Sequence, residues 1–215
     1  MSKNIAVILS GCGASDGSEI HEAISTLIAI DKLGAKYTCY APNRNQFHVI
    51  NHLNGEVMQE KRNILVEAAR IARGKVKPLS DFVGQEDALI IPGGYGAAKN
   101  LCDYAFKGAN CSVNEDIAKA VELMFNKKKP IGALCIAPII LAKVLNNITL
   151  TLGENSDASL AAQKMGATHK TTSKHEIVVD IKNKIVTSPC YMVDSSIYDI
   201  VIGAENAVKA VLELT

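Results

Sequence analysis

Long hydrophobic runs are missing from this chain. A transmembrane helix needs ~18 or more consecutive apolar residues, and no apolar stretch in the 215 residues comes near that length. The first apolar run, residues 5–9, is too short for the core of a signal peptide and is not followed by a cleavage site. An Arg-rich, acid-poor transit segment is also missing. We therefore expect a cytoplasmic protein that does not bind membranes.

An excess of charge of either sign is lacking as well. The chain has 23 basic and 22 acidic residues, which gives a formal net charge of +1. Proteins that bind nucleic acid or anionic lipid usually present a basic field or a polybasic tail, so neither partner is expected. The densest basic run, Lys127-Lys128-Lys129, is interpreted as the solvated end of a helix.

Metal-binding patterns are lacking among the six cysteines. No pair has C-x-x-C spacing, which argues against structural zinc and against a thioredoxin-type motif, and we expect reduced thiols. His48 and His52 are four positions apart, but the asparagines around them favour a loop over a helical metal site. The segment Ser10-Gly11-Cys12-Gly13 lacks the glycine spacing and the lysine of nucleotide-binding loops. The sequence thus predicts no metal and no cofactor.

Short β-like runs alternate with helical stretches, which predicts a mostly parallel sheet covered by helices on both faces. No repeat or linker interrupts the pattern, so we expect one domain over residues 1–215. The predicted strands are 5–9, 37–41, 88–91, 131–134, 150–153 and a hairpin of 177–180 with 184–188. The predicted helices are 18–32, 62–73, 114–127, 136–145, 157–165 and 195–214. Residues 43–59 are polar and are predicted to form a long loop.

A thiol stands where one predicted strand turns into a helix. Cys135 follows the strand 131–134, and Ala133 and Ala137 lie two positions away on either side. Small residues at these places permit the sharp turn that exposes a nucleophile, as in the serine motif G-x-S-x-G. The N-terminus of the following helix would help to hold a thiolate. Taken alone, such a cysteine is more often a core residue.

Backbone donors are expected close to this thiol, because sites in open α/β sheets form at the carboxyl ends of the strands. Gly93 and Gly94 follow the strand 88–91 and allow a tight turn whose N–H groups could bind an oxyanion. The N–H of Ile136, directly after Cys135, would be a second donor.

Two carboxyl groups are candidates for proton transfer beside the thiol. Glu19 and Glu22 stand three apart on one face of the first predicted helix, and either could act as the acid or base. A carboxyl next to Cys135 should have a raised pKa or share its proton with the sulfur. His21, between the glutamates, could line the pocket or face solvent. Weaker candidates at strand ends are Cys12, Cys190, Asn155 and Asp157.

Six longer motifs are distinctive. They are Ile8-Leu9-Ser10-Gly11-Cys12-Gly13, Asp16-Gly17-Ser18-Glu19-Ile20-His21-Glu22, Ile50-Asn51-His52-Leu53, Pro92-Gly93-Gly94-Tyr95-Gly96-Ala97-Ala98-Lys99-Asn100-Leu101, Cys135-Ile136-Ala137-Pro138 and Lys184-Ile185-Val186-Thr187-Ser188-Pro189. Their order resembles the PfpI-type class I glutamine amidotransferase-like superfamily. Within it, the motifs are similar to those of the ElbB-type isoprenoid biosynthesis glyoxalases. The resemblance covers essentially the whole chain.

This resemblance implies a flavodoxin-like three-layer sandwich and, often in the superfamily, a homodimer. It implies a cofactor-independent glyoxalase, a lyase of the hydro-lyase type, associated with isoprenoid biosynthesis. Such an enzyme converts small 2-oxoaldehydes such as glyoxal to 2-hydroxy acids without glutathione. Glu22 matches the superfamily's cysteine-contacting glutamate, and Glu19 lies one turn earlier.

One departure from the superfamily narrows the chemistry. Amidotransferases and protease-like members place a histidine beside the cysteine, but Ile136 follows Cys135, and Ser188-Pro189-Cys190-Tyr191 contains no histidine. Amide hydrolysis needs a base for water and an acid for the leaving amine, so it is disfavoured. Two alternatives stay open: a redox or carbonyl-stress sensor or chaperone-like regulator in which Cys135 is oxidised, and a deglycase or amidase-type hydrolase.

Overall fold

The computed structural model describes residues 2–215, whose strands form one seven-stranded and one two-stranded sheet. The strands are β1 (Asn4–Ile8), β2 (Lys36–Ala41), β3 (Val76–Pro78), β4 (Ala88–Ile91), β5 (Ile131–Leu134), β6 (Thr149–Leu150), β7 (Thr168–His169), β8 (Val178–Asp180) and β9 (Ile185–Ser188). The large sheet has the order β3-β2-β1-β4-β5-β9-β8. Its pairs are parallel except for β8 with β9, and β6 pairs with β7 in the small sheet.

Helices cover both faces of the large sheet, so the predicted α/β class and flavodoxin-like sandwich are confirmed. The helices are α1 (Ile20–Lys32), α2 (Ile64–Ile71), α3 (Tyr95–Lys99), α4 (Tyr104–Lys107), α5 (Glu115–Asn126), α6 (Pro138–Val144), α7 (Asp157–Lys164) and α8 (Ile197–Glu213). Helices α1, α2 and α8 pack on one face, and α5, α6 and α7 pack on the other. In the described chain, no helix is both long enough and apolar enough to cross a bilayer.

The central strand β1 shows why the sheet is covered on both sides. Successive side chains of a strand point to opposite faces. In β1, Ala6 and Ile8 enter the core under α5 and α6, while Ile5 and Val7 enter the core under α1 and α8. All four are fully buried. A strand buried on both faces must be apolar throughout, which explains the unbroken apolar run in the sequence.

Most predicted elements are present, with differences at their ends. Strands β4 and β5 have the predicted bounds, and the hairpin of β8 and β9 is antiparallel as predicted. The helix expected from residue 136 begins at Pro138, and the strand expected at 150–153 is only Thr149–Leu150. Four elements were not predicted, namely β3, β7, α3 and α4, because they are two to five residues long and too short to show a periodicity.

The lysine run at the end of α5 matches its prediction as a solvated end only in part, because Lys127 and Lys128 are exposed but Lys129 is half-buried. Lys129 Nζ donates to the carbonyl oxygens of Gly84 (3.0 Å), Gln85 (3.1 Å) and Glu86 (2.6 Å). Lys127 Nζ also donates to the carbonyl oxygen of Gly84 (3.0 Å). The loop before β4 turns its carbonyl groups towards the helix end, so two of the three ammonium groups hold this loop.

The strand order brings the expected loops together. β1, β4, β5 and β9 are consecutive neighbours in the sheet. After β1 the chain adds β2 and β3 on one side of that strand, and then crosses to add β4 and β5 on its other side. Ligand crevices form at such a switch point, here between β1 and β4. The loop 43–59 folds back onto the end of β1. There Asp16 accepts the N–H of Ile50 (2.7 Å) and His52 Nε2 accepts the N–H of Ser15 (3.1 Å).

Candidate active site

Cys135 occupies a strained turn at the end of β5. Its φ is +57°, in the left-handed region, which costs a non-glycine residue about 1–2 kcal/mol. Its N–H donates to the carbonyl oxygen of Ser188 (2.9 Å), so the pairing with β9 continues through this residue. The flanking Ala133 and Ala137 are fully buried, and only 7% of Cys135 is exposed. The sharp turn predicted at Cys135 is therefore present.

Glu22 is fully buried in the first turn of α1 beside this thiol. One carboxyl oxygen accepts the N–H of Gly93 (3.0 Å), the other accepts the N–H of Tyr191 (3.3 Å), and the carboxyl also contacts the Cys135 side chain. Burial and the nearby charge of Glu19 raise the pKa of Glu22 to about 8. Burial therefore favours the protonated form of this carboxyl.

The same surroundings raise the pKa of the Cys135 thiol well above its ordinary value. Burial is the main cause, and the neighbouring Glu22 and Cys190 add to it, while the N–H of Gly94 favours the thiolate. The expectation that a helix N-terminus holds a thiolate here is wrong, because α6 begins at Pro138 and not directly after the cysteine. Their surroundings thus favour the protonated form of both Cys135 and Glu22.

Glu19 has a different task from Glu22. It is the N-cap of α1, and its Oε2 accepts the N–H of Glu22 (2.7 Å). A side-chain acceptor at this position satisfies a free N–H of the first turn. Of the two glutamates left open by the sequence, Glu22 contacts the thiol, whereas Glu19 fixes the start of the helix that carries it.

The two predicted glycines are both close to Cys135 but differ in what their N–H groups do. The Gly93 N–H is bonded to Glu22, so its predicted role as an oxyanion donor is wrong. The Gly94 N–H faces the sulfur. The Ile136 N–H finds no acceptor within residues 2–215. Gly94 and Ile136 are therefore the backbone donors available to a bound substrate.

Close packing explains why these positions are glycines. A Cβ on Gly93 would lie 2.4 Å from Cβ of Cys135 and 2.7 Å from Oε2 of Glu22. Gly94 has a φ of +93°, and its Cβ would lie 2.3 Å from the N of Glu19. The absence of side chains lets the turn after β4 enter between α1 and the elbow.

A histidine–tyrosine pair completes the inner wall. His21 Nδ1 lies 2.8 Å from the hydroxyl of Tyr191 and 3.6 Å from a carboxyl oxygen of Glu19. Tyr191 was not predicted as a site residue. Its position three residues after the predicted strand 184–188 could have indicated a place at the carboxyl edge of the sheet. His21, left undecided between pocket and solvent, lines the pocket.

These groups open onto a pocket of about 730 Å³. Its lining includes Cys135, Ile136, Tyr191 and the weaker candidate Asp157. Neither Asn155 nor Cys12 is part of this lining in the described chain. Cys190 is fully packed beneath the elbow, next to Cys135. Residues 2–215 hold no cluster of three or more metal-ligating side chains.

An elbow cysteine, a buried glutamate and a glycine turn thus meet at neighbouring strand ends of a class I glutamine amidotransferase-like fold. Within this class, the chain belongs to the DJ-1/PfpI family, whose family model matches residues 14–194. The predicted PfpI-type superfamily is therefore confirmed.

Named relatives extend over nearly the whole chain. The mitochondrial ES1 protein homolog of Rattus norvegicus is 41% identical over 98% of this chain and 84% of the relative. The mitochondrial glutamine amidotransferase-like class 1 domain-containing protein 3 of Homo sapiens is 40% identical over 98% of this chain and 83% of the relative.

Solved structures show the same fold. A crystal structure from Ehrlichia chaffeensis, described as an isoprenoid biosynthesis protein with an amidotransferase-like domain, has a TM-score of 0.91 and 38% identity, over 99% of this chain and all (100%) of that one. DJ-1beta of Drosophila melanogaster has a TM-score of 0.56 and 19% identity, over 100% of this chain and 96% of that one. At that identity, the likeness to DJ-1beta shows the fold alone.

Proposed function

We propose that this protein is a glutathione-independent glyoxalase of the ElbB type in which Cys135 is the nucleophile. The observation that carries the proposal is the contact of Cys135 with Glu22, a buried carboxyl whose pKa of about 8 gives access to both the acid and the carboxylate near neutral pH. Gly94 and Ile136 would stabilise negative charge on the substrate oxygen with their N–H groups. The likeness to a structure described as an isoprenoid biosynthesis protein supports an association with that metabolism.

The proposed reaction needs only water as co-reactant. In its carboxylate form, Glu22 takes the thiol proton as the sulfur of Cys135 bonds to the aldehyde carbon, and it passes this proton to the aldehyde oxygen, which gives a hemithioacetal. The Glu22 carboxylate then removes the C–H proton of that carbon and delivers it to the adjacent carbonyl carbon, while the hydroxyl proton of the hemithioacetal moves to the oxygen of that carbonyl group. This transfer oxidises the first carbon and reduces the second. Water cleaves the resulting thioester, which releases a 2-hydroxy acid and returns the proton to the sulfur.

The decisive experiment measures glyoxal consumption and glycolate formation by the wild type and by Cys135→Ala. The variant should lose turnover while its circular dichroism spectrum is retained, and Cys12→Ala, which removes a thiol outside the pocket lining, is the matched control. Turnover by Cys135→Ala at the wild-type rate would exclude the proposed nucleophile.

A redox or carbonyl-stress sensor, or a chaperone-like regulator, is the competing proposal. It draws on the same cysteine, but sensor thiols are usually exposed and have a low pKa, whereas burial raises the pKa of Cys135. Titration with hydrogen peroxide and intact-mass detection tests it: selective oxidation of Cys135, with a kcat/KM for glyoxal far below about 10⁴ M⁻¹s⁻¹, would favour the sensor. Deglycase or amidase activity is a further proposal, which the His21–Tyr191 pair supports by placing a base in the pocket.

Partners and location are also proposals. We propose a small carbonyl compound as substrate, no nucleic acid or membrane partner, no metal or cofactor, and a homodimer. An exposed apolar stripe along α1 would suit a second copy; it consists of Ile20, Ile24 and Ile28. Sedimentation of Ile24→Lys tests this, since a dimer through α1 would dissociate.

We propose a cytoplasmic location. The rat and human relatives are named as mitochondrial proteins, which favours the alternative of a mitochondrial location. Fractionation of the source cells distinguishes the two.

A further inference from the structure

The pocket beside Cys135 is much larger than glyoxal requires. Its volume is about 730 Å³, within the range of roughly 300–1,000 Å³ that accommodates drug-sized ligands. A water molecule takes about 30 Å³ in the liquid, so a two-carbon dialdehyde bound at the thiol would leave most of the pocket to water. The volume therefore indicates a ligand with a bulky part beyond its reacting carbonyl groups.

The wall away from the thiol is mostly apolar. It is formed by Ala98 of α3, Tyr104 and Ala105 of α4, Ala158 of α7, and Met192 after β9. The three alanines and the larger side chains of Tyr104 and Met192 together line an apolar recess of the pocket. Burial of apolar groups in such a recess is favourable because it removes them from water.

The charged side chains at the pocket disfavour one class of ligand. Its acidic side chains are Glu19 at the inner end and Asp157 at the start of α7, and none of the described lining residues is a lysine or an arginine. Phosphate and carboxylate groups are normally held by basic side chains or helix N-termini. A phosphorylated or carboxylated substrate would meet two negative side chains and no lysine or arginine, so only His21, the start of α7 and backbone N–H groups would favour its charge.

We propose that the substrate is an uncharged 2-oxoaldehyde with an apolar aromatic or branched substituent. This inference rests on the proposed function, since it assumes the same reaction at Cys135. The substituent replaces hydrogen on the carbonyl carbon next to the aldehyde and takes no part in the bond changes. The product is the corresponding 2-hydroxy acid, and water is again the only co-reactant.

The first test compares kcat/KM for glyoxal, methylglyoxal, phenylglyoxal and 4-carboxyphenylglyoxal, with Cys135→Ala as the background. One methylene in an apolar pocket changes kcat/KM by about 10-fold or more, so phenylglyoxal should exceed methylglyoxal by at least that factor. The kcat/KM of the carboxylated analogue should be about 10-fold lower than that of phenylglyoxal, because its negative charge would have no basic partner in the pocket. Equal values across the series, or a decrease with size, would overturn the inference.

A second test does not depend on turnover. Acetophenone, acetone and 4-acetylbenzoate are titrated into Cys135→Ala and followed by calorimetry or by NMR shifts. Acetophenone should bind at least about 10-fold more tightly than either of the others. If no aldehyde is consumed but acetophenone binds with this preference, the proposed reaction fails while the ligand class stands. If acetophenone shows no preference, the ligand class is wrong whatever the turnover.

Variants at the wall make the assignment local. Ala105 is exposed on α4, so Ala105→Trp should fold and fill the recess, and the ratio of phenylglyoxal to glyoxal turnover should fall about 10-fold. Leu160→Trp, on the outer side of α7 and 54% exposed, is the matched control and should keep the ratio. Asp157→Asn should raise the relative turnover of the carboxylated analogue about 3-fold, as expected for one exposed charge. Unchanged ratios in both pocket variants would contradict the proposed binding wall.

Discussion

The hydroxyl of Tyr191 lies 2.8 Å from Nδ1 of His21, and the two side chains come from opposite ends of the chain, 170 residues apart. Tyr191 also donates its N–H to Glu22 (3.3 Å). Tyr191, three residues after the end of β9, thus orients both the pocket histidine and the buried carboxyl. In the proposed reaction, His21 would be the base for the water that cleaves the thioester, in place of the histidine that is missing directly after the cysteine.

Replacement of the histidine tests this arrangement. If His21 activates water, His21→Gln should lower kcat about 100-fold, within the usual range for a general base, and the thioester on Cys135 should accumulate. Intact-mass measurement after rapid quenching detects it. Tyr191→Phe retains the ring but loses the hydrogen bond, and a smaller decrease with the same intermediate is expected. A lower kcat without any accumulated thioester would assign His21 to an earlier step or to structure.

The raised pKa of Glu22 has a defined effect on stability. The folded protein keeps the proton up to pH about 8, whereas an ordinary glutamate loses it near 4.5. The folded state therefore binds more protons between these values, and the free energy of unfolding should decrease with rising pH in this window, by up to about 1.4 kcal/mol per pH unit. Urea unfolding from about pH 5 to about pH 9 measures the slope.

Two glutamine variants identify the group responsible. Glu22→Gln should flatten the decrease, because no proton is left to lose. Glu115→Gln is the control: this exposed carboxyl has a lowered pKa beside Lys119, so its loss should leave the decrease in place. If the slope survives in Glu22→Gln, another buried group is its cause.

The fit of Gly93 predicts a steric effect on both stability and activity. A Cβ added at Gly93 would lie 2.4 Å from Cβ of Cys135. A Cβ added at Gly132, in β5, would lie 3.1 Å from its nearest atoms, which are side-chain carbons of Ile90 and Val211. Gly93→Ala should lower the free energy of unfolding by about 1–3 kcal/mol, as is usual for overpacking, and should remove most of the turnover. Gly132→Ala should lose less stability and retain activity. Equal losses in the two variants would show that the approach at Gly93 is not critical.

Lys129 should contribute more to stability than its position in a basic run suggests. Its ammonium group donates to three carbonyl oxygens of the loop before β4. Lys129→Met should cost about 1–3 kcal/mol, since partly buried carbonyl groups lose a charged donor. The exposed neighbour offers the comparison: Lys128→Met should stay within about 0.5 kcal/mol of the wild type. Denaturant unfolding of both variants measures the two losses of stability, and an equal loss in Lys128→Met would contradict the role of Lys129.

The parts of the site that the sequence locates depend on local pattern and on the resemblance to a family. The turn at Cys135 follows from a short apolar run, small neighbours and a nearby proline. Helical spacing leaves Glu19 and Glu22 as alternatives, and the preference for Glu22 comes from the resemblance. The role of Gly93 could not be predicted, because the acceptor of its N–H is a carboxyl 71 residues away. The carbonyl partners of Lys129 lie more than 40 residues earlier in the chain and were missed for the same reason. Local pattern locates the reacting groups, but tertiary contacts decide which donors remain free.

The far wall of the pocket and the reacting groups belong to separate segments. Tyr104 and Ala105 lie on the short helix α4, and Ala158 lies in the first turn of α7, whereas the carboxyl of Glu22 is bonded only to groups at the ends of β4 and β9 and to the elbow. Changes on α4 and α7 can therefore alter the shape of the recess without disturbing the proton shared near the sulfur. The chain is accordingly a candidate for directed evolution, in which a library confined to these two helices would vary the recess and leave Cys135 and Glu22 unchanged.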